Sequence, residues 1–493
     1  MKPMLSIDFG NTYTKVGLRF DSESTSILVK DASLKWDDFN VCIPTVAACH
    51  DVEGGSRWYY GTEVLKFRET APGLTVFRNW KPQFFDGPHS KRLLKKKPIL
   101  VSACHGIRSL PAPDGFSGEA WEVLKKTLSD DDLTKIVIQL GGHDMSIDDL
   151  KESNEEQTEP IYKEIGLGFF SWLRSFIDPV CRKRLKLSAS EIPARVSLPS
   201  FGSITKASML LQEILSEAGW KLDAHAPVLA EPLANAIGTF TEGKNATHRN
   251  GKSPHYGQMF AHAGLLSQMR EAALFGGRKT AWILIIDLGG FTADFAMLGL
   301  DLEEIDAKLS GKLDGKNRLA VFSRPIGVTD LDLRIRNELA FNKQQALDQV
   351  INDPDQQRLE SFHVNCFGHL GRYAGKNLKV GDSAREKTMI REIIEKFGQD
   401  VADDADDFME VHQFERIDEL ILTGGGTMIP AVRKALATRM SHYGVRKLHV
   451  YMGEEEPSFS SIPVHQLPRE FVRGATAFGG SSVYFDFADN HNS

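Results

Sequence analysis

Cysteine is scarce in this chain: five in 493 residues, at positions 42, 49, 104, 181 and 366. Their odd number and scatter exclude a disulfide framework and fit the reduced thiols of a cytoplasmic protein. Long apolar runs are lacking as well. None approaches the roughly 20 residues that a helix needs to cross a bilayer. Asp8 interrupts the apolar start before a signal-peptide core could form, so no membrane partner is expected. An excess of positive charge is also absent. The formal net charge of −7 argues against direct nucleic-acid binding, which rests on neutralising phosphates with Lys and Arg. Ser, His and Asp occur without a nucleophile-elbow context, which removes support for hydrolase chemistry of that type. His363-Val-Asn-Cys366-Phe-Gly-His369 has metal-like spacing but no fourth ligand, and it is read as a polar helical segment.

What remains is ordinary globular material: 41% hydrophobic and 25% charged residues, in a length that favours more than one domain. Hairpin strands are expected over about 4–20 and 25–31, and a short strand at Ile43-Pro44-Thr45-Val46-Ala47. The basic runs Lys91-Arg92 and Lys95-Lys96-Lys97, the acidic run Asp130-Asp131-Asp132 and the acidic stretch 144–159 read as solvated surface. Pro160 opens an apolar-periodic segment to about 186, which predicts a helix. A strand ends at Pro199, a helix over 203–219 stops at Gly219, and another helix starts at 232. Residues 241–258 read as an exposed loop, and 328–415 as helical and polar. Asp418–Thr423 is a strand, Gly424–Thr427 a turn, and 429–441 a helix with Pro430 in its first turn. Strands joined by crossover helices indicate an α/β fold.

Two stretches carry chemistry together. The first is Ile7-Asp8-Phe9-Gly10-Asn11-Thr12-Tyr13-Thr14-Lys15; the second is Ile286-Asp287-Leu288-Gly289-Gly290-Phe291-Thr292-Ala293-Asp294. Each is an apolar strand, an Asp, a small turn and a returning strand. Glycine permits the tight turn and close ligand approach, and successive N–H groups there form an anion-binding concavity. Thr12, Lys15 and Thr292 can reach phosphate oxygens. Two carboxylates facing each other across a cleft would repel unless a cation lay between them, and Mg²⁺ carried by a nucleotide supplies it. The triple glycine Gly424-Gly425-Gly426 follows a strand and precedes a helix, where a ribose or base can lie on bare backbone. It fits neither the dinucleotide-binding nor the P-loop pattern.

These motifs recur in order with Glu231-Pro232-Leu-Ala-Asn-Ala236, Gly424-Gly-Gly-x-x-x-Pro430 and Arg473-Gly-Ala-x-Ala477. In that combination the chain resembles the actin, hexokinase and heat-shock-chaperone ATPase superfamily. Ile43-Pro44-Thr-Val-Ala, Leu74-Thr75-Val76-Phe77 and Val196-Ser-Leu-Pro199-Ser-Phe201 are most similar to the heat-shock protein 70 ATPase domain. The resemblance implies two ribonuclease-H-like (actin-like ATPase) lobes around a central nucleotide cleft. Residues 1–275 would form lobe I, with an outer subdomain over about 40–159. Residues 276–493 would form lobe II, with an outer subdomain over about 328–411. It implies ATP or ADP with Mg²⁺ as cofactors, and water-mediated metal contacts from Asp8 and Asp287. Gly10, Asn11, Thr12, Tyr13, Lys15, Gly289, Gly290 and Thr292 would cradle phosphates. Glu231 and Asp294 would place the metal waters and the attacking water, and Gly424, Gly425 and Gly426 would border the adenosine. Pro199 resembles the switch proline. The adenine-contacting helix would fall between 358 and 385.

The chain departs from that pattern in four places. Trp80 stands where the family has its catalytic Lys, and Lys81 follows it. Asn11 replaces a usual Thr. Lys15 is more similar to plasmid-segregation actins. Too few residues follow Ala475 for the family's peptide-binding domain. The expected function is a slowly hydrolysing nucleotide switch, a weak Mg-dependent ATPase acting through a partner protein. The alternatives are a filament-forming actin-like ATPase and a small-molecule kinase.

Overall fold

The computed structural model describes residues 3–19, 26–30, 41–52, 55–66, 74–78, 80–85, 123, 126, 147–200, 204–239, 243–244, 255–256, 280–301, 318–332, 334–335, 384–452 and 462–481. The basic runs at 91–97, Asp130–Asp132, the 363–369 segment and all but the last two residues of the 358–385 range expected to hold the adenine helix lie outside them.

The fold is α/β. A first sheet holds β1 (Met4–Phe9), β2 (Tyr13–Arg19), β3 (Ser26–Leu28) and β4 (Ile43–Pro44). A small antiparallel sheet follows, of β5 (Ala47–Val52), β6 (Gly55–Tyr60) and β7 (Leu74–Phe77). The chain then returns to the first sheet with β8 (Pro193–Leu198), β9 (Lys221–Leu222), β10 (Val228–Ala230), β11 (Gly243–Lys244) and β12 (His255–Tyr256). A second sheet is built from β13 (Thr280–Leu288), β14 (Ala293–Asp301), β15 (Arg318–Arg324), β16 (Glu419–Thr423), β17 (Lys447–Val450) and β18 (Val464–Gln466). The frame is completed by α1 (Ile147–Leu185), α2 (Ile204–Glu217), α3 (Glu231–Gly238), α4 (Ala384–Val411), α5 (Pro430–Met440) and α6 (Arg469–Gly480). None of the described helices is long and apolar enough to cross a membrane.

The two large sheets share one strand plan. In the first, β3-β2-β1 is an antiparallel meander, and β8 and then β10 add in parallel beyond β1. In the second, β15-β14-β13 is the meander, and β16 and then β17 add in parallel beyond β13. The hairpin repeat in the sequence is thus the visible part of a larger repeat. Parallel addition requires crossover connections, which is why α1 and α2 lie between β1 and β10, and α4 and α5 between β13 and β17.

The elements stack in five layers. Leu5, Ile7 and Phe9 of β1 face Ile165, Phe169, Leu173, Leu211 and Ile214 of α1 and α2. On the second sheet Leu284, Ile286 and Leu288 face Phe397, Val401, Val432 and Leu436 of α4 and α5. Between the sheets lie α3 and α6. There Ile283, Ile285 and Ile421 pack on Ala234, Ile237, Phe471, Val472 and Phe478. The backbones of α3 and α6 touch, and a Cβ added at Gly479 would stand 1.7 Å from the Ala234 carbonyl oxygen. Period-two alternation then decides the site. With Leu5, Ile7 and Phe9 turned to α1, Asp8 points into the middle layer. With Leu284, Ile286 and Leu288 turned to α4, Asp287 points there too.

Three local expectations need correction. Helix α1 starts at Ile147, so Pro160 lies inside it; the polar stretch before Pro160 carries no apolar period to reveal a helix. The 241–258 loop contains β11 and β12, two-residue strands too short to alternate visibly. The 43–47 strand is two strands, β4 and β5, separated at Thr45 and Val46, where the Thr45 N–H donates to the Thr12 carbonyl at 2.9 Å.

Candidate functional site

A cleft opens at the ends of β1 and β13. The residues assigned from the sequence to the nucleotide-and-metal site line it: Asp8, Gly10, Asn11, Thr12, Tyr13, Lys15, Lys81, Glu231, Asp287, Gly289, Gly290, Thr292, Asp294, Gly424, Gly425 and Gly426. The two hairpin turns meet directly. A Cβ on Gly290 would lie 2.7 Å from Thr12 Oγ1, and Asn11 Nδ2 donates to Thr329 Oγ1 at 3.4 Å. The N–H groups of Gly10 and Gly289 donate within their own turns, to the Asp8 carbonyl at 3.0 Å and the Thr292 carbonyl at 2.8 Å. They shape the turns.

Strand register fixes the charged groups. Lys15 is the partner of Asp8 across the first hairpin, and its Nζ lies 3.0 Å from Asp8 Oδ2. Burial disfavours the Lys15 charge, but Asp8, with further help from Asp287, overrides it and holds the ammonium firmly protonated. Asp294 is the partner of Asp287 across the second hairpin. Thr292 Oγ1 donates to Asp294 Oδ2 at 2.9 Å, and Ser323, its neighbour on β15, donates to Oδ1. Glu231 opens α3, and its Oε1 is 2.5 Å from Lys81 Nζ.

Of the adjacent pair Trp80 and Lys81, only Lys81 reaches the cleft. Trp80 is fully buried and packs on Phe9, Phe84 and Phe169. The short 3-10 turn that starts at Lys81 then directs the ammonium into the cleft.

The cleft therefore holds four carboxylates with Lys15 and Lys81 among them. Burial, with Asp294 and Asp8 nearby, pushes Asp287 up to about 7. Burial also pushes Asp294 up to about 6, against the hydrogen bonds from Ser323 and Thr292. Glu231 is raised by burial, against the pull of Lys81. Raised carboxylates are an electrostatic deficit that a cation relieves. Among the described residues no group of three or more His, Cys, Asp or Glu side chains could cage a metal alone. Carboxylate oxygens are the donor type that Mg²⁺ takes.

Several lining residues were given no role from the sequence: Cys42, Phe291, Val328, Arg473 and Thr476. Two more lie just behind the lining. Asn235 Nδ2 donates to Asp287 Oδ2 at 2.6 Å, and the Ser200 N–H, next to Pro199, donates to Ser323 Oγ at 2.8 Å. The signal for Asn235 was available, since it follows Glu231 by four residues and so shares its helix face. Comparison with protein-family models and with curated proteins finds no match to this chain.

Proposed function

We propose that this chain binds a Mg–adenine nucleotide in the cleft, hydrolyses ATP slowly, and acts as a heat-shock-protein-70-like switch on a partner protein. Its two sheets are then the cores of two ribonuclease-H-like lobes that close on the nucleotide, a hinge motion common in nucleotide-binding folds. One observation carries the reading. Two carboxylates from equivalent strands of two sheets, Asp8 and Asp287, face one cleft beside paired glycine turns.

Phosphoryl transfer asks for positioning and charge neutralisation more than covalent chemistry. Asp8 and Asp287 would hold the hydrated ion, which supplies neutralisation of the phosphate charge when bound. Thr12, Lys15 and Thr292 are the donors available to phosphate oxygens. Glu231, paired with Lys81, and Asp294, anchored by Thr292 and Ser323, are the carboxyl groups available to orient water. Gly424–Gly426 leave backbone bare for adenosine. Lys15, set in the first hairpin as in plasmid-segregation actins, favours a second reading, ATP-gated filament assembly; pelleting with ATP but not without it would support that form.

Calorimetric titration with ATP and ADP, with and without Mg²⁺, tests the proposal. Asp8→Ala and Asp287→Ala are each expected to weaken Mg–nucleotide binding by about a hundredfold, the weight of one charged contact. Unchanged affinity in both variants sinks it.

A further inference from the structure

Asn235 is 1% exposed in the middle layer, amid Ala234, Ala236 and Ile237. Packing alone would be served by an apolar residue there, since a buried amide is costly unless fully bonded. Asn235 is bonded at both ends. Its Nδ2 donates to Asp287 Oδ2 at 2.6 Å and to Thr476 Oγ1 at 3.1 Å. Its Oδ1 accepts from Thr423 Oγ1 at 3.0 Å. Thr476 closes the ring by donating to the same Asp287 Oδ2 at 3.1 Å. The amide orientation is assigned from these partners, with Asp287 Oδ2 as acceptor and Thr423 Oγ1 as donor.

Four elements meet in this cluster: α3 through Asn235, β13 through Asp287, β16 through Thr423 and α6 through Thr476. Both hydrogen bonds fall on Oδ2. That leaves Oδ1 on the side of the Gly424 turn, where a Cβ would come within 2.1 Å of it. Thr423 immediately precedes that turn. One side chain thus ties the metal-facing carboxylate to the adenosine-facing glycines.

We propose that Asn235, seconded by Thr476, is the positioning residue of the site. It holds Asp287 at the rotation that presents Oδ1 to the cation. The inference rests on the Mg–nucleotide reading above and adds to it the residue that sets the metal carboxylate.

The test measures ADP affinity with Mg²⁺ and with EDTA, beside the melting temperature of nucleotide-free protein, for wild type, Asn235→Ala and Thr476→Val. Thr476→Val keeps the shape and removes only the hydroxyl, so it covers the case in which Asn235→Ala does not fold. In each variant that folds, the gain in affinity from Mg²⁺ is expected to shrink by about tenfold or more, as for loss of a hydrogen bond to a charged group. Affinity in EDTA should change less than about twofold. The exchanged pair Asn235→Asp with Asp287→Asn should recover the melting temperature lost in Asn235→Ala, because the hydrogen bond re-forms in reverse, yet not the Mg²⁺ gain. A variant that keeps the full Mg²⁺ gain, or loses affinity equally with and without Mg²⁺, overturns the positioning role. Wild type that binds no nucleotide in either condition overturns the parent reading and this inference together, a result separate from the first two.

Discussion

Gly424→Ala is expected to abolish Mg–nucleotide binding and to cost at least about 3 kcal/mol of stability, by strain and overpacking combined. Gly424 has φ 81° and ψ 154°, a region that is essentially closed to residues with a Cβ. Its surroundings add a steric term. A Cβ would stand 2.1 Å from Asp287 Oδ1 and 2.4 Å from the Leu288 carbonyl oxygen. The Gly424 N–H also donates to the Val472 carbonyl at 2.8 Å, which clips the turn to α6. The turn cannot move away without breaking that contact, and Asp287 cannot move away without leaving the Asn235 ring. Gly444→Ala is the control. Its φ of 76° is also positive, but nothing lies within 4 Å of the added Cβ, so about 1 kcal/mol is expected. Urea unfolding of both variants gives the comparison. Equal losses would mean that backbone conformation alone matters and the close approach to Asp287 does not.

The nucleotide-free protein is expected to lose stability as pH rises through neutrality, and Asp287→Asn to remove much of that loss. Asp287 has a pKa of about 7 against 3.8 for the unperturbed group, and Asp294 one of about 6 against 3.8. A carboxyl with a raised folded pKa keeps its proton better in the fold than in the unfolded chain. Its contribution is therefore complete below about pH 4 and is lost as pH climbs through about 6 to about 7. For Asp287 alone the linked energy is on the order of 4 kcal/mol, from roughly three pKa steps of 1.4 kcal/mol.

Two carboxyls elsewhere in the fold work the other way. Asp178 is lowered by the Ala189 N–H and Arg182, and Asp223, against its burial, by Arg195. Both stabilise the neutral-pH fold and lose that contribution in acid. The informative quantity is thus the difference between Asp287→Asn and wild type. That difference should favour the variant increasingly from about pH 4 to about pH 7 and level off above, by a few kcal/mol in urea unfolding. Saturating Mg–ADP should erase it, because the ion favours the ionised carboxylate. A difference that does not change with pH would show that Asp287 does not titrate in this window.

Much of the site was legible because it is written in local rules. Asp8 and Asp287 each close an apolar strand before a glycine turn, so their strand-end placement follows from the turn chemistry alone. The triple glycine announced bare backbone, and Glu231 ahead of Pro232 announced a helix start. Other parts were hidden for definite reasons. Lys81 and Trp80 are adjacent, both positions precede an irregular turn, and only the aromatic pocket of Phe9, Phe84 and Phe169 decides which side chain goes inward. Asn235 shares the helix face of Glu231, but its partners Asp287, Thr423 and Thr476 are 52, 188 and 241 residues away and carry no local signal. The first part of α1 gave no signal because its polar face and its polar sequence are indistinguishable by period.

Alternation within β1 and β13 follows from sequence by itself. With it come the two Asp–glycine hairpins, the Gly424 turn and the α/β order of strands and helices, because each depends on contacts within a few residues. The meeting of the two hairpins depended on the tertiary structure. Packing α3 and α6 back to back places both sheets on one shared layer, and only then do Asp8 and Asp287 face the same cleft. The same packing brings Lys81 to Glu231 and Asn235 to Asp287. Such pairings carry no periodicity and no turn signal. They are settled by which apolar faces cover one another, and the polar groups at the edge of that layer must then satisfy each other or a bound ion.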